Sequence, residues 1–333
     1  MKLTVLGAGC WGLTLAWLLS GNFEDVVVWG REFDLSDDLK INKHTSKPLE
    51  VQLDKKVGIT SDLASAIDGA DIILSVIATS GTRDVCENLK RAGIKSEQIL
   101  VNASKGIELP SLMRMSEVIR EVLPEQKLVI LSGPTLAKEV LAGKPTAACV
   151  ASEDISVAEF VQKACSVPGK FRLYTNTDVI GVELGGSLKN VIAIASGFAH
   201  EMGLGDNCAG ALLTRGMAEI VRVSIQLGAN PSTLYGLSGM GDLIATCSSP
   251  MSRNYTVGSM LGRGKKIDDI LRELGSVAEG VKTSKAICEL AKKLEIDVPV
   301  SNAIYEAVYT DITPQELLDK LMNRKLKEEE RYI

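Results

Sequence analysis

The first twenty residues constrain this chain more than any other stretch of it. Lys2–Leu6 (K-L-T-V-L) is a short strand-forming run that stops at Gly7-Ala8-Gly9-Cys10-Trp11-Gly12, and a helix pattern, Leu13–Ser20, follows at once. A G-x-G-x-x-G between a strand and a helix is the dinucleotide-binding fingerprint in the setting it requires. Gly7 makes the tight turn, and Gly9 lets backbone amides approach a pyrophosphate. Gly12 lets helix and strand pack closely, leaving the phosphates at the positive helix N-terminus. Trp11 reads either as plain core or as a residue whose backbone and ring flank the cofactor, with Cys10 beside it. A chain that opens this way is expected to fold as α/β, with a parallel sheet wound on both faces.

The residue just past the second strand, Val26–Trp29, discriminates between the two nicotinamide cofactors. An acid there holds a ribose 2′-hydroxyl, whereas an arginine accommodates a 2′-phosphate. The sequence is Trp29-Gly30-Arg31-Glu32. Arg31 leans the reading slightly toward NADP, the adjacent Glu32 keeps NAD open, and an ordinary surface ion pair is the plainer alternative. Phe33–Gly58 is polar and weakly patterned, so it reads as a long connection with one short helix and an exposed His44.

Buried strands follow at Asp71–Val76, Gln98–Asn102, Leu128–Leu131, Thr146–Ala151 and Lys170–Tyr174. Two of their carboxyl ends carry polar groups, where ligands bind in such sheets. Lys105 lies in Ala103-Ser104-Lys105-Gly106-Ile107, and its alternative is a surface lysine in a loop. Thr135 in Ser132-Gly133-Pro134-Thr135 resembles an N-cap, with the amides near Gly133 free to cradle an anion; the alternative is a simple capped turn. After Asp178 helical periods dominate, at Val182–Met202, Ala209–Gln226, Lys266–Leu274, Thr283–Leu294, Ser301–Thr310 and Pro314–Met322. The change of character marks a domain boundary near residue 181, giving domains 1–181 and 182–333. The charged tail Asn323–Ile333 reads as a solvated extension.

Within the helical half, Val182–Ala195 (V-E-L-G-G-S-L-K-N-V-I-A-I-A) has the composition of a buried helix yet holds Lys189 and Asn190 at its centre. At about 100° per residue the neighbours of Lys189 on its own face are Gly185, Gly186, Ala193 and Ser196. Small residues around a long cation predict a hollow beside it, whereas a lysine snorkelling from an amphipathic helix is the bland alternative. Two glycine-rich or polar loops stand out further on. Gly236–Leu243 ends in Asp242, and Ser248–Tyr255 sets Arg253 between Ser252 and Asn254. A guanidinium between a hydroxyl and an amide suits a phosphate monoester; the alternative is an arginine bridging helices.

Composition narrows the chemistry. The 333 residues, 45% hydrophobic and 24% charged, can bury cores for two domains. A net charge of −5 argues against a general nucleic-acid binder, so an anionic ligand must meet local cations. No apolar run reads as a membrane span, and Met1-Lys2 leads straight into a strand without a signal peptide. Seven scattered cysteines with no C-x-x-C spacing, and only two histidines, predict a reduced cytoplasmic chain without a metal site. Acid–base work therefore falls to lysine or a carboxylate.

Taken together, Gly7–Gly12, Ala103–Gly106, Ser132–Ala137, Glu183–Asn190, Gly203–Asn207 with Thr214–Gly216, Gly239–Asp242, Ser252–Asn254 and Ala278–Gly280 resemble the bacterial NAD(P)-dependent glycerol-3-phosphate dehydrogenases. The resemblance covers essentially the whole chain, and E-L-G-G-x-L-K-N with S-R-N is specific. It implies an N-terminal Rossmann-like domain and a C-terminal all-helical domain like that of 6-phosphogluconate dehydrogenases. The implied reaction is reversible hydride transfer between NAD(P)H and dihydroxyacetone phosphate, giving sn-glycerol 3-phosphate for phospholipid synthesis, in a homodimer.

By position, Lys189 matches the family's acid–base lysine, and Lys105 matches a lysine touching substrate and cofactor. Gly133, Thr135, Asp242, Ser252, Arg253 and Asn254 match substrate positions. Cys10, Trp11, Arg31, Ala137, Arg253, Val277 and Glu279 match cofactor positions. This chain departs from the pattern at Cys10, where serine is usual, at Ile77-Ala78-Thr79 in place of Val-Pro-Ser, at Tyr255 in place of a basic residue, and in Lys43–Val57, which lacks a Tyr-Leu-Pro pattern.

The mechanism expected from these residues has Lys189, as ammonium, stabilising the oxyanion and donating its proton. Lys105 lowers the pKa of Lys189, Asp242 orients a hydroxyl or Lys189 itself, and Arg253 holds the phosphate with help from Ser252 and Asn254. Two other readings are a reductase of a different small acid, of the 2-ketopantoate or 6-phosphogluconate type, and a non-catalytic NADP-sensing module. The first has no need of the S-R-N loop, and the second has no use for Lys189 in a hollow.

Overall fold

The computed structural model describes residues 1–47, 49–275, 278–326, 328 and 329. Among these the strands are β1 Lys2–Leu6, β2 Asp25–Trp29, β3 His44–Thr45, β4 Val51–Gln52, β5 Gly58–Thr60, β6 Ile72–Ser75, β7 Ile99–Asn102, β8 Lys127–Ser132, β9 Thr146–Ala151 and β10 Phe171–Asn176. Eight of them form one sheet in the order β10-β9-β8-β7-β6-β1-β2-β5, and β3 pairs only with β4. Neighbours run parallel except β8 and β9, which are antiparallel. The chain enters the sheet at β1 and winds outward on both sides, so the order reverses between β1 and β6, the point at which doubly wound sheets open a crevice.

Leu3, Val5, Val28, Ile72, Leu74 and Val101 are at most 2% exposed. Such near-continuous apolar runs are what strands covered on both faces require. The stretch read as a long connection with one short helix has that helix, Asp37–Asn42, and more besides: a 3-10 turn at Glu32–Asp34, the β3–β4 hairpin and the edge strand β5. Strands of two or three residues are too short for alternation to register. His44 is half-buried rather than exposed, with Nδ1 2.5 Å from Asp38 Oδ2.

The chain divides into two compact units, Met1–Ser104 with Met115–Val179, and Lys105–Arg114 with Ile180–Ile333. A single cut near 181 does not anticipate the ten-residue excursion. Ile107 is buried in the second unit's core, Ile107 bridges Arg114, and Ser187 Oγ donates to the Gly106 carbonyl at 3.4 Å.

The second unit is helical and is built on Val179–Glu201, in which every residue from Gly181 to Ala199 is buried. Its small residues are where other elements press against it. A Cβ on Gly258 would lie 1.8 Å from the Ile194 carbonyl oxygen, and one on Gly197 1.9 Å from that of Tyr255. Helices Val179–Glu201 and Arg253–Gly262 therefore touch backbone to backbone. By length and composition Val179–Glu201 is apolar enough to cross a membrane, contrary to the sequence reading, although 83% of that window is buried within the fold. A mostly apolar helix buried on nearly every face can match the composition of a membrane span.

Both stretches read as loops in this half carry helix. Leu237–Gly241 is a π-helical turn leading into helix Asp242–Cys247, and Arg253 opens helix Arg253–Gly262. Glycine and serine lower helix propensity, and tertiary packing overrides the preference. Part of the charged tail, Lys327 and residues 330–333, lies outside the described residues.

Candidate active site

In the first unit the fingerprint forms the expected cradle. Gly7 has φ of +115°, and a Cβ there would lie 2.6 Å from the Val76 carbonyl oxygen. Gly12 is equally obligatory, since its Cβ would overlap the Gly7 carbonyl. Gly9 differs from both, with open space around its Cβ position. It caps helix Cys10–Leu19 without a side-chain hydrogen bond and with no acid in the first turn. A helix N-terminus without a side-chain cap, beside open space at Gly9, fits a pyrophosphate. Cys10 and Trp11 are half-buried on this turn, and Trp11 packs against the unit's core.

Beyond β2, Arg31 does not pair with Glu32. Its Nε donates to Asp34 Oδ2 at 2.7 Å and its Nη2 to Asp34 Oδ1 at 3.2 Å, and its Cζ lies 4.3 Å from the centroid of the Phe33 ring. Asp34 holds the guanidinium pKa above its ordinary value. Glu32 pairs instead with Lys40, which pulls its carboxyl below the usual range.

Gly133 and Thr135 also belong to the first unit. Thr135 is not an N-cap: helix Ala137–Leu141 is capped at Leu136 without a side-chain bond. The Thr135 hydroxyl donates back to the Gly133 carbonyl at 3.1 Å. Ala137 is the first, half-buried residue of that helix.

The second unit holds the polar cluster. Asp242, 1% exposed, stands between two lysines. Lys189 Nζ donates to its Oδ1 at 2.5 Å, and Lys105 Nζ to its Oδ2 at 2.7 Å. Lys189 Nζ also donates to Thr246 Oγ1 at 2.5 Å, and that hydroxyl donates to Asp242 Oδ1 at 3.2 Å. The side chains of Lys189 and Lys105 remain 8% and 18% exposed.

The hollow expected beside Lys189 is partly filled. A Cβ on Gly185 would lie 2.7 Å from the Ser238 carbonyl oxygen, so the glycine admits the turn that delivers Asp242. Burial brings the Lys189 pKa down from 10.5 to about 8; Asp242 opposes the shift and Lys105 adds to it. The direction is the expected one, but burial rather than Lys105 is its first cause. Thr246 was not singled out in the sequence, although it follows Asp242 by four residues and so shares its helix face.

Lys105 is braced through its own segment. Arg114 Nη1 donates to Glu183 Oε2 at 3.1 Å, with Glu183 only 1% exposed, so the excursion 105–114 is pinned to the helix that carries Lys189. Glu183 heads the E-L-G-G-x-L-K-N stretch, but its pairing with Arg114 was not legible in the sequence, because nothing local connects residues 69 apart.

The S-R-N residues divide in their duties. Ser252 Oγ accepts from Tyr255 N at 3.3 Å and caps helix Arg253–Gly262. Asn254 is buried, with Nδ2 donating to Asn190 Oδ1 at 2.9 Å and Oδ1 accepting from Gly280 N at 3.0 Å. Two of the three expected phosphate groups are thus committed within the protein, and Asn190 gains a partner that accounts for an amide in an apolar helix. Arg253 is exposed and makes no hydrogen bond or ion pair among the described residues. Glu279 opens helix Glu279–Lys293 half-buried, and Val277 lies outside the described residues.

Comparison with known proteins agrees with these features. Residues 2–158 match the family described as NAD-dependent glycerol-3-phosphate dehydrogenase N-terminus, and residues 178–319 match its C-terminus. Glycerol-3-phosphate dehydrogenase (NAD(P)+) of Listeria monocytogenes is 44% identical over 330 residues, covering 98% of this chain and 97% of the relative. The Enterococcus faecalis protein of the same name is 42% identical, over 99% and 98%. A crystal structure of glycerol-3-phosphate dehydrogenase from Coxiella burnetii superposes with a TM-score of 0.91 at 31% identity, covering 97% of this chain and 99% of the other. With both halves matched and the cradle and lysine cluster in place, this chain belongs to the NAD-dependent glycerol-3-phosphate dehydrogenase family.

Proposed function

We propose that the chain catalyses the reversible NAD(P)H-dependent reduction of dihydroxyacetone phosphate to sn-glycerol 3-phosphate, supplying glycerophospholipid synthesis, with Lys189 as its acid–base group. The observation that carries the assignment of Lys189 is its share in the Asp242 carboxylate. Two ammonium groups face one carboxylate, so Lys189 shares its counter-charge with Lys105 in this nearly buried cluster. A developing oxyanion placed against the shared pair would add negative charge beside the Lys189 ammonium, and in a low-dielectric setting that interaction is strong.

A bound nicotinamide supplies hydride in reduction and accepts it in oxidation. The Gly7–Gly12 turn holds the pyrophosphate by its open amides, with Cys10 and Trp11 alongside, and Ala137, Val277 and Glu279 complete the cofactor contacts by analogy with the family. In reduction Lys189 Nζ donates a proton to the carbonyl oxygen as charge builds there. In oxidation the neutral amine takes the hydroxyl proton. Asp242 and Thr246 hold the amine in place through both steps, and Lys105 contributes the second cation. Arg253 grips the phosphate with its unengaged guanidinium. Ser252 and Asn254 act chiefly by fixing the start of its helix, and Gly133 and Thr135 are assigned to the substrate by the family pattern alone.

The test is a spectrophotometric assay of purified protein with dihydroxyacetone phosphate and either NADH or NADPH, run beside a panel of 2-keto acids. Oxidation of cofactor with the phosphorylated triose alone supports the reading. Turnover only with keto acids, or none at all, overturns it. Assembly as a homodimer and a cytoplasmic location are part of the same reading, and light scattering checks the first.

A further inference from the structure

The adenosine end of the cradle bears a charge arrangement that the lone arginine in the sequence does not reveal. Arg31 lies two residues beyond β2, where the ribose of a dinucleotide is read. Its guanidinium is held at two points by Asp34, with Nε to Oδ2 at 2.7 Å and Nη2 to Oδ1 at 3.2 Å. The neighbouring acid, Glu32, is taken by Lys40. Within this turn the positive charges of Arg31 and Lys40 are matched by Glu32 and Asp34, and Asp37 and Asp38 open the next helix. The flat face of Arg31 lies against Phe33, a ring 79% exposed.

We propose that Asp34 is a cofactor-specificity residue, which occupies Arg31 and biases the cradle toward the dinucleotide without a 2′-phosphate. The proposal rests on the reading of Gly7–Gly12 as a dinucleotide cradle. A 2′-phosphate reaching Arg31 must displace the Asp34 carboxylate and then sit beside it, and two anions sharing one guanidinium repel each other. A ribose 2′-hydroxyl carries no charge and can donate to the carboxylate already there. Arg31 then serves as a flat stacking surface rather than as a phosphate ligand. The preference is thus the reverse of the one Arg31 alone suggests.

Equilibrium binding of NADH and NADPH, followed by cofactor fluorescence and without substrate, tests this. The wild type should bind NADH more tightly than NADPH. Asp34→Ala should shift the ratio of the two dissociation constants toward NADPH by about tenfold, a size expected for removing one nearby charge at a partly exposed site. Introduced on top of Arg31→Gln, the same substitution should shift the ratio by clearly less, because part of the effect passes through the guanidinium. A wild type that prefers NADPH, or a ratio that Asp34→Ala does not alter, overturns the proposal while leaving the cradle intact. Failure of the wild type to bind either dinucleotide overturns the cradle reading, and this proposal with it.

Discussion

Lys189 and Asp242, 53 residues apart in the chain, meet at 2.5 Å between Nζ and Oδ1 in a nearly solvent-free part of the helical unit. An ion pair of this kind in a sealed core would be inert. Here the carboxylate is divided, because Lys105 takes its other oxygen at 2.7 Å. Lys189→Met should lower turnover with dihydroxyacetone phosphate by about a thousandfold or more, the range for loss of a positioned general acid. Dinucleotide affinity, measured by fluorescence titration, should stay within about threefold. Turnover near that of the wild type would remove Lys189 from the chemistry.

The titration of the same amine gives a pH dependence with a definite sign. Its pKa is brought down to about 8, so the ammonium needed for reduction is lost as pH rises through that value. The amine needed for oxidation is gained over the same interval. The kcat/KM for reduction should therefore fall above about pH 8, and that for oxidation should rise. Lys105 is one cause of the lowering, so Lys105→Met should move both limbs to higher pH. A limb that stays in place or moves down would show that the two cations are not coupled.

Arg253 and Asn254 are adjacent yet should fail in different ways. Arg253 is exposed and has no partner among the described residues, whereas Asn254 bridges Asn190 and the Gly280 amide. Arg253→Ala should raise the Michaelis constant for the phosphorylated substrate by about ten- to a hundredfold, as loss of a charge-assisted contact does, at unchanged melting temperature. Asn254→Ala strands a buried amide hydrogen and should destabilise the protein by about 1–3 kcal/mol. Melting curves and Michaelis constants of the two variants side by side decide it; identical profiles would erase the distinction.

These contrasts mark what the sequence could and could not reveal. The Gly7–Gly12 turn was legible because strand, glycine spacing and helix all lie within twenty residues and each has a local physical reason. Lys189 was legible because a cation in an apolar helix stands out against its neighbours. Its environment was misread, since Gly185 looked like empty space and is instead where the Ser238 backbone packs. The helical character of Leu237–Gly241 and Arg253–Gly262 was hidden by weak local propensity. The Arg31–Asp34 pair was in plain view three residues apart, yet only a 3-10 turn brings the two side chains together.

The Arg114–Glu183 pair could not be seen in advance, and it offers a test of how Lys105 is held. Both side chains are largely buried, at 12% and 1% exposed. Arg114→Met leaves a carboxylate buried without that partner and should cost about 3–5 kcal/mol of stability. Arg114→Met with Glu183→Leu should regain most of it, because the double change removes the buried carboxylate together with the guanidinium that faces it. If the double variant is as unstable as the sum of the single ones, the two residues do not act as a unit. Thermal melts of the four proteins provide the measurement.

The contact of Gly197 and Gly258 with facing carbonyl groups carries a last consequence. Where two helices meet backbone to backbone at two glycines, sliding or rotation there runs into a facing carbonyl, so the backbones that carry Lys189 and Arg253 are held in register. If Lys189 and Arg253 act on one substrate as proposed, that spacing would serve as a gauge for the length of molecule that can present an oxygen to the amine and an anion to the guanidinium together. Any evolutionary or engineered change in that length must come by redirecting the side chains at its two ends, or by breaking the glycine contact and giving up the gauge altogether.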